Sequence, residues 1–171
     1  MVDLYADYER LNWDPAWHHS RQMTKGFIAY TTPKLTVGVE GFINNLKNDD
    51  FATRIDSATD ILTVQAKGIS VFVTGLIVPD KLKFFARYDA FNPDNKIDNS
   101  KYIAYKGNTS SYNDPNTKEQ FITAGLDFTP VKNVHLMPNV WYNKYTNQGP
   151  ANLYNSNDMV YRVTFYYVFG K

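Results

Sequence analysis

The charged side chains of this 171-residue chain fall at alternate positions within extended stretches. Lys83, Arg87 and Asp89 share one parity, and so do Asp127 and His135. Residues two apart in a strand point to the same face. A wall carrying Lys67, Lys83, Arg87 and Arg162 would therefore present a cationic track, and such a track on a low-dielectric surface concentrates anions. Glu40, Asp89 and Asp127 are expected on the same face, with His135. They can pair with the cations and fill a narrow interior; a pore wall needs its charges neutralised in any case.

Other chemistry-bearing residues give less. Trp13, Asp14, Trp17, His18, His19 and Ser20 cluster in one polar segment. Metal binding or a loop-borne base is conceivable there, but adjacent histidines on a strand diverge and no Asp/Glu–His spacing supports a site. A solvated loop is the simpler reading. The run Asn48, Asp49, Asp50 lacks the alternating ligand spacing of a calcium loop. There is no phosphate-binding glycine loop and no nucleophile motif. The sequence thus assigns no catalytic residue, no metal and no cofactor, and points away from an enzyme.

The elements that position the charges have a period of two, with no convincing amphipathic helix. Eight segments read as strands: 2–10, 23–32, 34–44, 62–78, 82–91, 119–128, 134–145 and 159–169. The fifth places Leu82, Phe84, Ala86, Tyr88 and Ala90 opposite Lys83, Phe85, Arg87 and Asp89. The last places Tyr161, Val163, Phe165, Tyr167 and Phe169 opposite Arg162, Thr164 and Tyr166. The second is ambiguous in phase. In the fourth, polar residues switch parity across Gly68, which predicts a one-residue bulge there. Pro138 predicts a bulge or local break in the seventh. Short turns at 31–34, 78–81 and 129–133 alternate with long polar loops at 11–22, 45–61, 92–118 and 146–158. That segregation is the arrangement of a transmembrane barrel with its long loops outside the cell.

Composition agrees with this. Lys plus Arg (18) nearly equals Asp plus Glu (17), without the basic surplus of a nucleic-acid protein. Cysteine is absent, so there is no disulfide framework. Aromatics make up 16% of residues, and tyrosine suits a membrane–water boundary. No apolar run approaches the roughly 18 residues of a membrane helix. The opening MVDLYADYER is not a signal peptide, so an exported protein would have lost its leader or this would be a piece of a longer chain.

The stretches KGISVFVTGLIVPDKLKFFARYDAFNPD and FITAGLDFTPVKNVHLMPNVWYNKY resemble the C-terminal part of porin-like outer-membrane β-barrel proteins of Bacteroidetes type. The ending YRVTFYYVF is similar to the C-terminal strand read by the barrel-insertion machinery, although Gly170 and Lys171 follow Phe169. The resemblance covers residues 61–171 well and the first third loosely. It implies a bacterial outer-membrane location, passive or selective diffusion of small solutes, and a fragment of a longer barrel; the cationic track adds anions as candidate solutes. The expected fold is all-β: an antiparallel up-and-down transmembrane β-barrel of about eight strands, part of a larger one, its first and last strands unjoined. Expected partners are outer-membrane lipid, small solutes, the insertion machinery and further copies in a homo-oligomer. Two aromatic bands are expected: Tyr8, Tyr88, Tyr142 and Tyr161 at the outer strand ends, and Tyr30, Phe84, Phe128 and Phe169 at the inner ends. Arg162 is expected near the outer end of its strand. The alternatives are a complete eight-stranded membrane barrel with a structural or adhesive role, and a soluble lipocalin-like barrel whose apolar face points inward.

Overall fold

The computed structural model describes residues 1–10, 18–105, 115–149 and 155–169. These form one antiparallel sheet of nine strands: β1 (Val2–Arg10), β2 (Ser20–Thr31), β3 (Leu35–Arg54), β4 (Thr59–Val78), β5 (Leu82–Asn92), β6 (Tyr102–Tyr105), β7 (Thr117–Phe128), β8 (Val134–Asn147) and β9 (Ser156–Tyr167). The order is β1-β2-β3-β4-β5-β7-β8-β9, each strand beside its sequence neighbour, with β6 off this path on β3. The eight expected strands are present in their expected order. The sheet does not close, as expected for part of a larger barrel: β1 and β9 are its two edges.

All three short turns lie at one end. Asp80 and Asn133 take positive φ (60° and 70°) in two of them, a conformation their short polar side chains tolerate. At the opposite end the structure departs from expectation. Residues 45–61 are largely strand, because β3 and β4 each run 20 residues and join through a four-residue link, 55–58. A membrane strand needs only about 9–11 residues, so roughly half of this hairpin stands beyond such a span.

The bulge predicted at Gly68 is not there. Pairing runs unshifted from Leu35↔Gly75 to Leu46↔Val64, and from Lys67↔Asn92 to Leu76↔Lys83. The shifts fall instead between Leu46 and Asp50, where Asn48 has φ 56°, and between Leu76 and Val78. The parity switch has another cause: Gln65 and Lys67 remain on the face of Ile69 and Val71, but beyond its apolar stretch. Gly68 is instead a seat for a ring, since a Cβ there would lie 2.4 Å from Cε1 of Phe42, its cross-strand partner. Gly38 under Phe72, Gly75 under Phe84 and Gly125 beside Phe85 repeat this pairing.

Pro138 gives a break without a bulge. It pairs with Val163 of β9, but the β7–β8 ladder lapses between Gly125↔Asn139 and Phe128↔Leu136 with its register kept.

Candidate functional site

Cross-strand partners share a face, so the register sorts every side chain. One face carries Ile28 on β2, Val39 on β3, Val71 on β4, Tyr88 on β5, Ile122 on β7 and Tyr142 on β8, all linked through successive pairs. The other carries Phe27, Glu40, Ser70, Asp89 and Phe121. The apolar face is the exposed one: Val39 is 36% exposed, Ile69 47% and Ile122 44%. The charged face is the covered one, with Ala66 at 7% and Thr123 at 9%. This is the reverse of a soluble sheet, where apolar side chains are withdrawn from solvent.

The charged face is a set of pairs on an aromatic bed. Lys25 Nζ lies 2.9 Å from Glu40 Oε2, Arg87 Nε 2.8 Å from Asp89 Oδ1, and His135 Nδ1 2.7 Å from Asp127 Oδ1. Arg21 reaches both Asp7 and Glu9 at 3.1 and 3.0 Å. Beneath them Phe27 stacks on Phe72 with centroids 6.2 Å apart, and Phe121 meets Trp141 edge-on at 5.6 Å. The Arg162 guanidinium sits 4.1 Å above the Trp141 ring, a cation–π contact. Among the described residues neither Arg162 nor Lys83 forms an ion pair, although Lys83 is directly opposite Asp127.

Six of the seven other charged positions expected on this face lie there with Arg162: Glu40, Lys83, Arg87, Asp89, Asp127 and His135. Lys67 does not. It pairs with Ile43 and Asn92 on the apolar face, because register continues through Gly68 without a slip. Arg162 shares the face, and its height follows from its rung together with the slant of the sheet. Its rung runs through Asn139, Gly125, Phe85, Thr74 and Thr36 to Thr31, the last residue of β2 before its turn. Along that rung it stands beside Phe85, and the slant of the sheet lifts β9 by about two to three residues over the three strand steps from β5, so Arg162 lies about level with Arg87 and one residue inside Tyr161. The aromatic bed was missed by charge alternation; its one signal was a glycine opposite Phe72, as opposite Phe42 and Phe85, whereas Phe27 and Phe121 face Glu40 and Asp89.

That rung also measures slant. Thr31 ends β2, whereas β9 continues from Arg162 to Tyr167. Five residues over six strand steps, at about 3.3 Å and 4.8 Å, give roughly 30°. Membrane barrels slant by about 35–45°, close to this. Tyr161 and Tyr30 share a rung, yet the slant separates them in height. With it applied, Tyr8, Tyr88, Tyr142 and Tyr161 fall within about two residues of one level. Tyr30, Phe84 and Phe128 fall near a second, about 16 Å away. Phe169 lies just past β9 on the turn side, edge-on to Tyr167 at 4.6 Å.

A strap crosses the charged face at the long-loop end. Asn95 N donates to Gln65 O of β4, and β6 then pairs with Ala52–Arg54 of β3. Those β3 residues also pair with β4, so β6 occupies the other edge and the intervening chain passes over the hairpin. It buries Ala52, Val64, Ala66 and Tyr105. Asp94, 1% exposed, pins it: Oδ1 accepts from Gln65 N at 3.2 Å and Lys96 N at 2.9 Å. Gln148 Nε2 lies 2.8–3.0 Å from Asn92 Oδ1, Asp94 O and Pro115 O, tying the strap to the end of β8.

Burial pushes the Asp94 carboxyl up from its ordinary range, against the opposing pull of the two amide donors and Lys96. The raised value means that folding is favoured by protonation here. The contribution is complete below the unfolded value near 3.8 and is lost as pH rises through the folded one. Asp94→Asn keeps an acceptor oxygen and removes the charge. We expect it to stabilise the protein by on the order of 1 kcal/mol at pH 8 and to match the parent near pH 3. Denaturation midpoints at the two pH values check this; a loss at pH 8 would show that the ionised carboxylate is required.

At the same end His19 Nε2 lies 2.7 Å from Asp49 Oδ1, and Asn48 Nδ2 donates to His18 O at 3.1 Å. This ties the β1–β2 connection to the β3 bulge. Asp14, Trp13, Trp17, Gly170 and Lys171 lie outside the described residues.

No protein-family model, curated protein or solved structure matches the chain.

Proposed function

We propose that this chain forms part of the wall of a porin-like outer-membrane β-barrel through which small solutes diffuse. The observation that carries the reading is the inverted sheet: an exposed apolar face, and a covered face bearing paired charges. Lipid accounts for the first and a polar lumen for the second. A soluble barrel has the opposite sign. The slant and the two aromatic levels support the same reading. The unpaired edges of β1 and β9 must be joined, because open edges are not tolerated in hydrocarbon. Further strands of a longer chain would close the ring, and the strap would narrow its mouth at the long-loop end.

The ion pairs refine the expected selectivity. Arg87 is neutralised by Asp89, whereas Arg162 and Lys83 keep their charge facing the lumen. A closed channel should prefer anions mildly, and Arg162→Ala should lower the anion-to-cation permeability ratio by about twofold. Arg87→Ala should shift it the same way by exposing Asp89. Reversal potentials in planar bilayers under a salt gradient test this. No conductance at all would overturn the channel; conductance with an unchanged ratio in Arg162→Ala would make that arginine a structural partner of Trp141.

A further inference from the structure

The apolar face is not uniformly filled at the level of the outer tyrosines. Tyr8 on β1 and Tyr88 on β5 flank three strands that carry no aromatic there. In their place stand Gly26 of β2, Gly41 of β3 and Ile69 of β4, joined in one rung that continues to Ala90 of β5. Gly26, Gly41 and Ala90 form the floor of a depression of about 790 Å³, with Ile69 standing between Gly41 and Ala90. A Cβ on Gly41 would meet only the Gly68 carbonyl oxygen, at 3.7 Å, so backbone packing does not require glycine there.

Three lysines border the depression, Lys67, Lys118 and Lys144, with one carboxylate, Glu119, so its charged lining is net positive. Lys67 pairs with Asn92, one residue past the last β5–β7 pair, Phe91↔Glu119, and continuing that register sets Lys118 two strand steps or about 10 Å from Lys67. Lys144 faces Gln120, diagonal to Lys118 and about 7–8 Å from it. Their register puts them about two to four residues above the outer tyrosine level. All three are exposed, and among the described residues none forms an ion pair. A cation that projects from the lipid-facing side just past the apolar band sits where phosphate headgroups lie.

We infer that this gap is a binding site for a phosphate-bearing membrane lipid, its acyl chain on the Gly26–Gly41–Ala90 floor and its headgroup between Lys67, Lys118 and Lys144. The inference rests on the membrane-barrel reading. The headgroup must be anionic because three unneutralised lysines converge on it. The chain-filled floor distinguishes the ligand from a free phosphate ion, which the lysines alone would serve.

The test uses the full chain in vesicles of phosphatidylcholine doped with phosphatidylglycerol of identical acyl chains. Lipids retained after extraction are counted by native mass spectrometry, and insertion is followed by flotation. The parent should retain phosphatidylglycerol selectively, and inorganic phosphate should not displace it. The variant with Lys67→Gln, Lys118→Gln and Lys144→Gln should lose about 100-fold in apparent affinity, at about a factor of five per lysine. Gly41→Leu, which fills the floor and leaves the lysines, should weaken retention several-fold. Insertion with equal retention of both lipids, or an unchanged triple variant, would overturn the site and leave the barrel reading standing. Displacement by inorganic phosphate would overturn the role of the floor. Failure to float even with neutral vesicles would overturn the barrel reading, and the lipid site with it.

Discussion

Replacing Val39 with arginine should destabilise the protein in a bilayer by about 2–4 kcal/mol, whereas Ser70→Arg should change it by less than about 0.5 kcal/mol. Val39 lies on the apolar face between the two aromatic levels, paired with Ile28 and Val71. A guanidinium there must shed its water into hydrocarbon. Ser70 is about two residues away in level but on the other face, directly opposite Glu40 and Asp89. An arginine there meets carboxylates and lumen water. The two substitutions add the same charge at depths within about two residues of each other, both inside the outer tyrosine level, so their difference reports which face touches lipid. Urea unfolding from vesicles gives both numbers. Equal effects would sink the membrane assignment. If Ser70→Arg proved the costly one, the sheet would be a soluble wall with its charged face packed inward.

The sheet was legible because its signal is local. Alternation in Lys83–Ala90 and Tyr161–Phe169 needs no partner to be read. Three of the seven strand adjacencies followed from turns too short for anything but hairpins, and the other four from the expectation of an up-and-down order. What escaped detection depends on partners distant in sequence. The phase of β2 was ambiguous because Phe27 and Ile28 are both apolar, one on each face. The misplacement of Lys67 came from treating a change in height as a change in register. Polar residues are tolerated on the lipid-facing parity once the strand leaves the apolar band, and alternation alone does not mark where that happens. The length of β3 and β4 was hidden likewise, since Asn44–Asp50 reads as a polar loop until the strap supplies a covering for it. The height of Arg162 required the slant, which exists only in the assembled sheet. Of the charged residues on the covered face, Glu40, Lys83, Arg87, Asp89, Asp127, His135 and Arg162 were readable from alternation, while Lys25 and Arg21 were not, because the phase of β2 was ambiguous; the pairing into Lys25–Glu40, Arg87–Asp89 and Asp127–His135 was readable only in general.

The largest expected effect of adding a single methyl group falls at Gly125. A Cβ there would lie 2.6 Å from both Asn139 Cβ and the Pro138 carbonyl oxygen, and 2.7 Å from Phe85 Cζ. Two of these three atoms are fixed by the backbone of β8, at the point where its ladder with β7 has already lapsed. Gly125→Ala should therefore cost about 3 kcal/mol, at the upper end of overpacking penalties, because strands must part to admit it. Gly38 provides the contrast. Its nearest contacts, at 2.4 Å, are the Cε1 and Cζ atoms of Phe72, the far edge of a ring that can turn aside. Gly38→Ala should cost about 1 kcal/mol, and Phe72→Leu should remove most of that penalty in a double-mutant cycle. The corresponding cycle of Gly125→Ala with Phe85→Leu should recover little, since the carbonyl of Pro138 remains. Denaturation midpoints of the four single and two double variants measure both couplings. A Gly125→Ala penalty abolished by Phe85→Leu would mean that the ring alone demands the glycine, and that β7 and β8 have room to spare beside Pro138.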